Sequence, residues 1–194
     1  MQKEQGMGKI VLASTSPRRR EILKDYKLEI IPSPFIETHT KTDFSYAYVE
    51  NLAYNKAKSV ADTLDGDVIV TGADTVVVLD KEILEKPKNE QDAFDMLKKL
   101  SNRTHKVVTA ISMIKLPQKI VKTVSTTSEV TFADLSDDMI NFYIENFKPF
   151  DKAGSYGIQE MPDGYIKSVD GDFENIIGIS SKVFKQMLDE IQNL

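Results

Sequence analysis

Residues 67–80 carry the run Val68-Ile69-Val70-Thr71-Gly72-Ala73-Asp74-Thr75-Val76-Val77-Val78, and it constrains the fold more than any other stretch of the chain. β-Branched side chains lose rotamer freedom in a helix and pack well on a pleated surface, so the run reads as a strand interrupted by Gly72-Ala73-Asp74-Thr75. Asp74 breaks the rule of its surroundings, because aspartate is depleted in strands and costly to bury without a partner. Gly72 and Ala73 remove side-chain bulk just before it, which lets a ligand or another backbone come close. An aspartate so placed suits binding a divalent cation or taking a proton from water; the structural reading is a partner such as a lysine. Glu82, Glu85 and Lys86-Pro87 follow on what reads as the returning strand and bring further charge to the same neighbourhood.

The rest of the chain supplies cover for such a strand. Residues 9–14 read as a short buried strand, and Ser16-Pro17 as an N-cap followed by proline at the first helical position, opening a helix over 17–26. A strand around 28–32 leads into a loop with Pro34, Glu37 and His39. A helix over 44–64 carries Val49, Leu52, Ala53, Ala57, Val60, Ala61 and Leu64 at helical spacing. Asn89 caps a helix to about Leu100, and two long strands, 105–115 and 119–132, are joined by Leu116-Pro117-Gln118. Ser136 caps the next helix with Asp137 and Asp138 in its first turn, where acids are favoured. Residues 154–179 read as glycine-punctuated short strands with an Asp170-Gly171 hairpin turn, and Ser181 opens a C-terminal helix. Helices alternate with strands, yet the long strands pair as a hairpin, so the fold class is α/β with a mixed sheet flanked by helices.

Composition narrows the chemistry. The 194 residues suit one domain, or a domain with a small lobe. With no cysteine and only His39 and His105, thiol chemistry is excluded and any metal would be oxygen-ligated. A net charge of −5 argues against general nucleic-acid binding without excluding a local basic pocket. There is no repeat, no apolar run long enough to span a bilayer and no signal-peptide core, so a cytoplasmic protein with no membrane partner is expected.

Three of the four arginines, Arg18, Arg19 and Arg20, stand together in the first turn of a helix. Cations are disfavoured there by a few tenths of a kcal/mol each, roughly, unless an anion sits among them. Phosphate fits, since guanidinium forks match its oxygens and Ser14, Ser16 and the helix amides add hydrogen bonds. The plainer reading is a solvated charge run pairing with Glu21 and Asp25. Lys56 falls on the apolar stripe of its helix, three residues after Ala53; it either snorkels or meets an anion, and beside the arginines a second phosphate contact is favoured. Tyr156 is placed to stack on a base and Gln159 to read its edge. No Walker loop, GxGxxG or HExxH occurs.

Ser14-Thr15-Ser16-Pro17-Arg18-Arg19, Lys56-Ala57, Gly72-Ala73-Asp74-Thr75-Val76-Val77, Lys86-Pro87, His105-Lys106-Val107-Val108-Thr109 and Ala153-Gly154-Ser155-Tyr156-Gly157-Ile158-Gln159 resemble the Maf family in order and spacing. The likeness runs from about Lys9 to the C-terminus, leaving residues 1–8 as an N-terminal extension, with Met7 a candidate original start, and 9–194 as a single domain. It implies a Maf/ITPase-like fold, an elongated mixed sheet flanked by helices with two lobes around a deep groove. It also implies hydrolysis of a nucleoside triphosphate to its monophosphate and pyrophosphate with a divalent metal, Mg²⁺ or Mn²⁺. By resemblance Asp74 is the proton acceptor, and Arg18, Thr75 and Gln159 mark the subgroup acting on dTTP and UTP rather than the one acting on 7-methylguanosine triphosphate. Glu160 stands where the family often has glycine, and Ile22 where leucine is usual; Arg20 lies outside the motif's requirements.

Residue chemistry and resemblance together give one expectation. Ser14, Arg18, Arg19, Lys56 and Lys86 grip the triphosphate, Asp74 orients or deprotonates water, and Asp74 with Glu37 holds the metal. The expected role is cleaning of the nucleotide pool, modified pyrimidine triphosphates included, with a link to cell-division arrest; the family often forms homodimers. An alternative of another class is a non-catalytic nucleotide-sensing protein acting in septum formation. RNA binding ranks third, because the basic residues gather in one pocket while the total charge is acidic.

Overall fold

A computed structural model describes residues 8–37 and 43–194. Of the expected N-terminal extension only Gly8 lies within them; Met7 and His39 lie outside. Seven strands form one sheet: β1 (Lys9–Leu12), β2 (Leu28–Ile30), β3 (Val68–Leu79), β4 (Glu82–Leu84), β5 (Thr104–Leu116), β6 (Ile120–Phe132) and β7 (Ile166–Asp170). Their order is β2-β1-β3-β5-β6-β7, with β4 beside β3. β1 runs parallel to β2 and β3, and every other pairing is antiparallel, which is the mixed sheet the hairpin pattern predicts.

The helices are α1 (Pro17–Ile22), α2 (Tyr46–Ala61), α3 (Glu90–Leu100), α4 (Asp137–Phe147), α5 (Phe173–Ile177) and α6 (Ser181–Gln192). Ser16, Ser45, Asn89 and Ser136 accept the amide bonds that open α1 to α4, as their short polar side chains dictate. Three expectations need correction. α1 stops at Ile22 rather than reaching Tyr26, because Leu23, its C-cap, leaves helical geometry. The cap of α6 is Ser180, one residue before the serine chosen from sequence. Residues 154–179 are not a set of strands: two 3-10 turns (Ala153–Ser155 and Ile158–Glu160) precede β7, and Asp170-Gly171 leads into α5, capped by Asp172, instead of turning a hairpin.

Two cores occupy opposite ends of the long strands. Near one end α6 lays Phe184, Met187, Leu188 and Ile191 against Ile10, Ile69, Ala73 and Ile111. Near the other, α3 and α4 enclose Val77, Leu84, Val107 and Phe132 with Tyr143 and Tyr156. β3 is buried along its length except at Thr75, and α2 covers its opposite face. Among the described residues no helix is long and apolar enough to cross a membrane.

Gly72 sets the distance between α2 and the sheet. A Cβ built on it would lie 2.3 Å from the Ala53 carbonyl oxygen and 2.5 Å from the Ala57 amide nitrogen. The close approach anticipated at this glycine is thus made by the backbone of α2. Backbone on both sides leaves no flexible group to give way, so a methyl here lifts the helix carrying Lys56 off the strand carrying Asp74. Gly72→Ala is expected to cost about 1–3 kcal/mol as overpacking does, which at about 2–4 °C per kcal/mol lowers Tm by roughly 2–12 °C in thermal unfolding. An unchanged Tm would show that α2 does not rest on this position.

Candidate active site

The cleft lies at a gap in the sheet. On one edge of β3, β1 pairs with Val68 through Thr71 and β4 pairs with Val77 through Leu79. Between them, among the described residues, the edge at Asp74, Thr75 and Val76 faces no strand, and these residues line the cleft together with groups from α1, α2 and the turns after α4. Successive strand residues point to opposite faces, so Asp74 joins α2 while Thr75 joins α1 and α5.

On the α2 face, the Lys56 ammonium is hydrogen-bonded to Asp74 Oδ1 and lies 2.6 Å from Glu37 Oε1. Asp74 is 7% exposed, opposite Ala110 on β5. Burial raises the Asp74 carboxyl above its ordinary range and Glu37 adds to the rise, against the opposing pull of Lys56 and Arg19. The result is a carboxylate of strengthened basicity within reach of a second carboxylate. Asp74 has the lysine partner of the structural reading, and it also lines the cleft. The same geometry bears on a metal. Two hard oxygen donors converge on the point that Lys56 now neutralises, a donor set that would suit Mg²⁺ or Mn²⁺. Among the described residues no group of three or more His, Cys, Asp or Glu gathers as a closed protein cage.

On the other face, Arg19 is fastened to the protein. Its Nε donates to the Gly178 carbonyl (2.9 Å), Nη2 to Thr75 Oγ1 (3.2 Å) and Nη1 to Ser14 Oγ (3.4 Å). Thr75 also meets Thr109, its cross-strand neighbour, at 2.8 Å. Thr109 donates its single hydroxyl proton to the Asn175 carbonyl, so Thr75 is the donor between the two threonines; its hydroxyl is shared with the Gly178 carbonyl at 3.3 Å and accepts from Arg19. Burial pulls the Arg19 guanidinium below its ordinary value and Asp74 pulls it back. Ser14 is buried behind Arg19 and also accepts from the Ser16 amide, so it supports the arginine from outside the cleft lining. Arg20 points to the Thr15 carbonyl, away from the cleft.

The remaining expected residues stand at the rim. Arg18 lines the cleft and pairs through Nη1 with Asp151 Oδ2 at 3.1 Å. Lys86 and Gln159 are exposed lining residues. Glu85 lines the cleft, whereas Glu82 pairs with Lys99 outside it. The stacking role foreseen for Tyr156 is corrected. Its ring is 5% exposed, packed edge-on against Phe132 and His105, and its hydroxyl lies 2.7 Å from His105 Nε2. Burial pushes His105 down to about 4 and raises the tyrosine, so both stay neutral in the core.

Among the polar side chains of the lining, Tyr48, Asp151 and Lys152 have no place in the sequence reading. Tyr48 and Lys56 share a helix face through Leu52, a spacing of four and eight that was open to notice. Burial, then Glu85, Asp74 and Glu37, raise the Tyr48 phenol and keep it a proton donor. Nothing in sequence marked Lys152 as buried.

Residues 9–191 match the family model described as Maf-like protein. The dTTP/UTP pyrophosphatase of Ruminiclostridium cellulolyticum is 42% identical over 188 residues, spanning 95% of this chain and 97% of that protein. The dTTP/UTP pyrophosphatase of Thermosipho africanus is 45% identical over 184 residues, 93% of each chain. A third, from Clostridium botulinum, is 38% identical over 94% of this chain and 98% of its own length.

Titration of the Asp74 carboxyl carbon by NMR is expected to show a midpoint above the ordinary aspartate value of about 3.9. Glu37→Gln is expected to move that midpoint down, because loss of a nearby negative charge favours ionisation and leaves Lys56 to Asp74 alone. A midpoint that stays in place would show that the two carboxylates do not sense each other.

Proposed function

The chain belongs to the Maf family, and on that premise we propose that it is a nucleoside triphosphate pyrophosphatase, hydrolysing dTTP and UTP at the α–β phosphoanhydride bond to the monophosphate and pyrophosphate. One observation carries the reading: a buried carboxylate of raised pKa, Asp74, opens into a cleft whose other walls carry Arg18, Arg19, Lys56 and Lys86. Glu37, Glu85, Asp151 and Lys152 line the same cleft, and a triphosphate carried with a divalent cation has use for cations and carboxylates together, whereas a neutral ligand has use for neither. The curated relatives described above support the substrate pair by their names and their identity over nearly the whole chain.

Each residue takes a role that its surroundings favour. Asp74 accepts a proton from the water that attacks the α phosphorus; its raised basicity suits a base working near neutral pH. Lys56, already between Asp74 and Glu37, is placed to follow negative charge as it moves to phosphate oxygens. Arg19, pinned by Gly178, Thr75 and Ser14, offers its remaining N–H groups in a fixed plane. Lys86 makes no ion pair among the described residues and brings an exposed positive charge from the rim. Asp74 and Glu37 would hold a divalent cation, Mg²⁺ or Mn²⁺, which when bound neutralises phosphate charge. Arg18, Thr75 and Gln159 are the residues proposed to favour the pyrimidine nucleotides, Thr75 by holding Arg19. Acting on free nucleotides, the protein would work in the cytoplasm, with no need of a membrane or a nucleic acid.

Pyrophosphate release by the purified protein with Mg²⁺ or Mn²⁺ is expected from dTTP and UTP, with little from CTP, the purine triphosphates or 7-methylguanosine triphosphate. Asp74→Asn is expected to lower turnover by about 10²–10⁴-fold, the usual worth of a positioned base, while nucleotide binding persists in calorimetry. Full activity in that variant would remove Asp74 from the chemistry; binding without release by the wild-type chain would favour a sensing protein.

A further inference from the structure

A lysine is almost never buried unless it is paired, and Lys152 is 8% exposed. It stands where the chain leaves α4 and enters the two 3-10 turns, and its ammonium sits between two carboxylates: Asp151 Oδ1 at 2.9 Å and Glu160 Oε2 at 3.1 Å. The other oxygen of Asp151, Oδ2, receives Arg18 from across the cleft. Both oxygens of one carboxylate are thus occupied by different cations, which fixes its plane. A continuous line of charges, Arg18–Asp151–Lys152–Glu160, joins α1 to the turn that bears Gln159.

The backbone is shaped to let this line form. A Cβ on Gly157 would lie 2.9 Å from Lys152 Cε, 3.0 Å from its Cδ and 3.2 Å from Glu160 Oε2, so the lysine stem crosses directly over that residue. The Gly157 amide donates to the Tyr143 hydroxyl at 3.0 Å and anchors the turn to α4. The outer pair differs from the inner one. The Asp151 side chain is 62% exposed, and an exposed aspartate–arginine pair on its own holds its partners loosely. The buried ammonium behind Asp151 turns a loose pair into a defined one, and hydrogen bonds from Lys152 and Arg18 outweigh burial to bring the Asp151 carboxyl below its ordinary range.

We propose that Lys152 is a positioning residue for nucleotide selection: seated on Glu160, it fixes the Asp151 carboxylate that holds Arg18, and so sets Arg18 relative to Gln159. This deepens the proposed function and rests on it, since Arg18 and Gln159 matter as a pair only where a nucleotide is read between them. A role confined to holding the loop together would instead leave Arg18 independent of Lys152.

The test is steady-state pyrophosphate release from dTTP, UTP and CTP by the full chain carrying Lys152→Met, Asp151→Asn, Arg18→Ala, or either of the first two combined with Arg18→Ala. Methionine fills the lysine's space without its charge, and Asp151 is exposed enough for asparagine to be accommodated. Lys152→Met and Asp151→Asn are each expected to raise KM for dTTP about three- to tenfold, with kcat within about twofold, and to narrow the preference over CTP. Added to Arg18→Ala, either change is expected to cost less than about twofold more, the non-additivity of groups acting through one contact. Effects that multiply in both double variants, or singles with wild-type KM and preference, overturn the proposal. Should Lys152→Met fail to fold, Asp151→Asn and its double variant decide the matter alone. A wild-type chain releasing pyrophosphate from none of the three nucleotides overturns the function itself, a result read before any variant is compared.

Discussion

The contact between the backbone of Gly72 and the backbone of α2 is the constraint on which the cleft depends. Helices ordinarily stand off a sheet by the thickness of two side-chain layers; here Ala53 and Ala57 on one side and a glycine on the other let the main chains touch. That closeness brings Lys56, the neighbour of Ala57, onto Asp74, two residues beyond Gly72 on the same face of β3. The small residues and the charged ones are therefore parts of one device. A larger residue at any of the three small positions would separate a lysine and an aspartate that each need the other in order to be buried.

Burial of charge is sustained in this site by arrangement rather than by cancellation. Asp74 and Glu37 share Lys56, Arg19 is held by neutral oxygens of Ser14, Thr75 and Gly178, and Arg18 is held by Asp151. Neutral acceptors fix Arg19 without neutralising it, which leaves positive potential directed at the cleft. A carboxylate in their place would have satisfied the arginine and removed its attraction for an anion. Hydrogen bonding by neutral groups is the means by which a folded protein keeps a cation both ordered and available.

Much of this was legible in the sequence, and the illegible part has a physical explanation. The strand β3, the caps of α1, α3 and α4 and the mixed sheet follow from local signals: β-branched runs, Ser and Asn at helix starts, and two long strands separated by a proline turn. Asp74 stood out because it broke a local rule. The glycines of residues 154–179 read locally as hairpin turns, whereas their conformations are set by distant groups, among them Tyr143 on the Gly157 amide and Ser128 on the Asp172 carbonyl. Tyr156 was given to the ligand because it follows Gly154 and Ser155 in a glycine-rich segment; what claims it is a histidine some fifty residues earlier in the chain. Lys152 carries no such signal, as its burial depends on the Glu160 carboxylate eight residues on together with Asp151 beside it.

The gap in the edge of β3 explains why two consecutive residues, Asp74 and Thr75, serve one cleft from opposite faces of a sheet. In a fully paired strand, neighbours along the chain are separated by the sheet itself and cannot meet the same ligand. Where β1 has ended and β4 has not begun, the sheet has a notch, and a ligand lying in it reaches both faces at once. The α2 face then supplies the carboxylates and Lys56, and the α1 face supplies the arginines and their threonine support. Proposed chemistry and proposed recognition are divided between adjacent residues of one strand, so any shift of β3 against its neighbours moves both together. Such coupling is what a site needs if its discrimination among nucleotides is to be expressed at the bond being broken rather than only in binding.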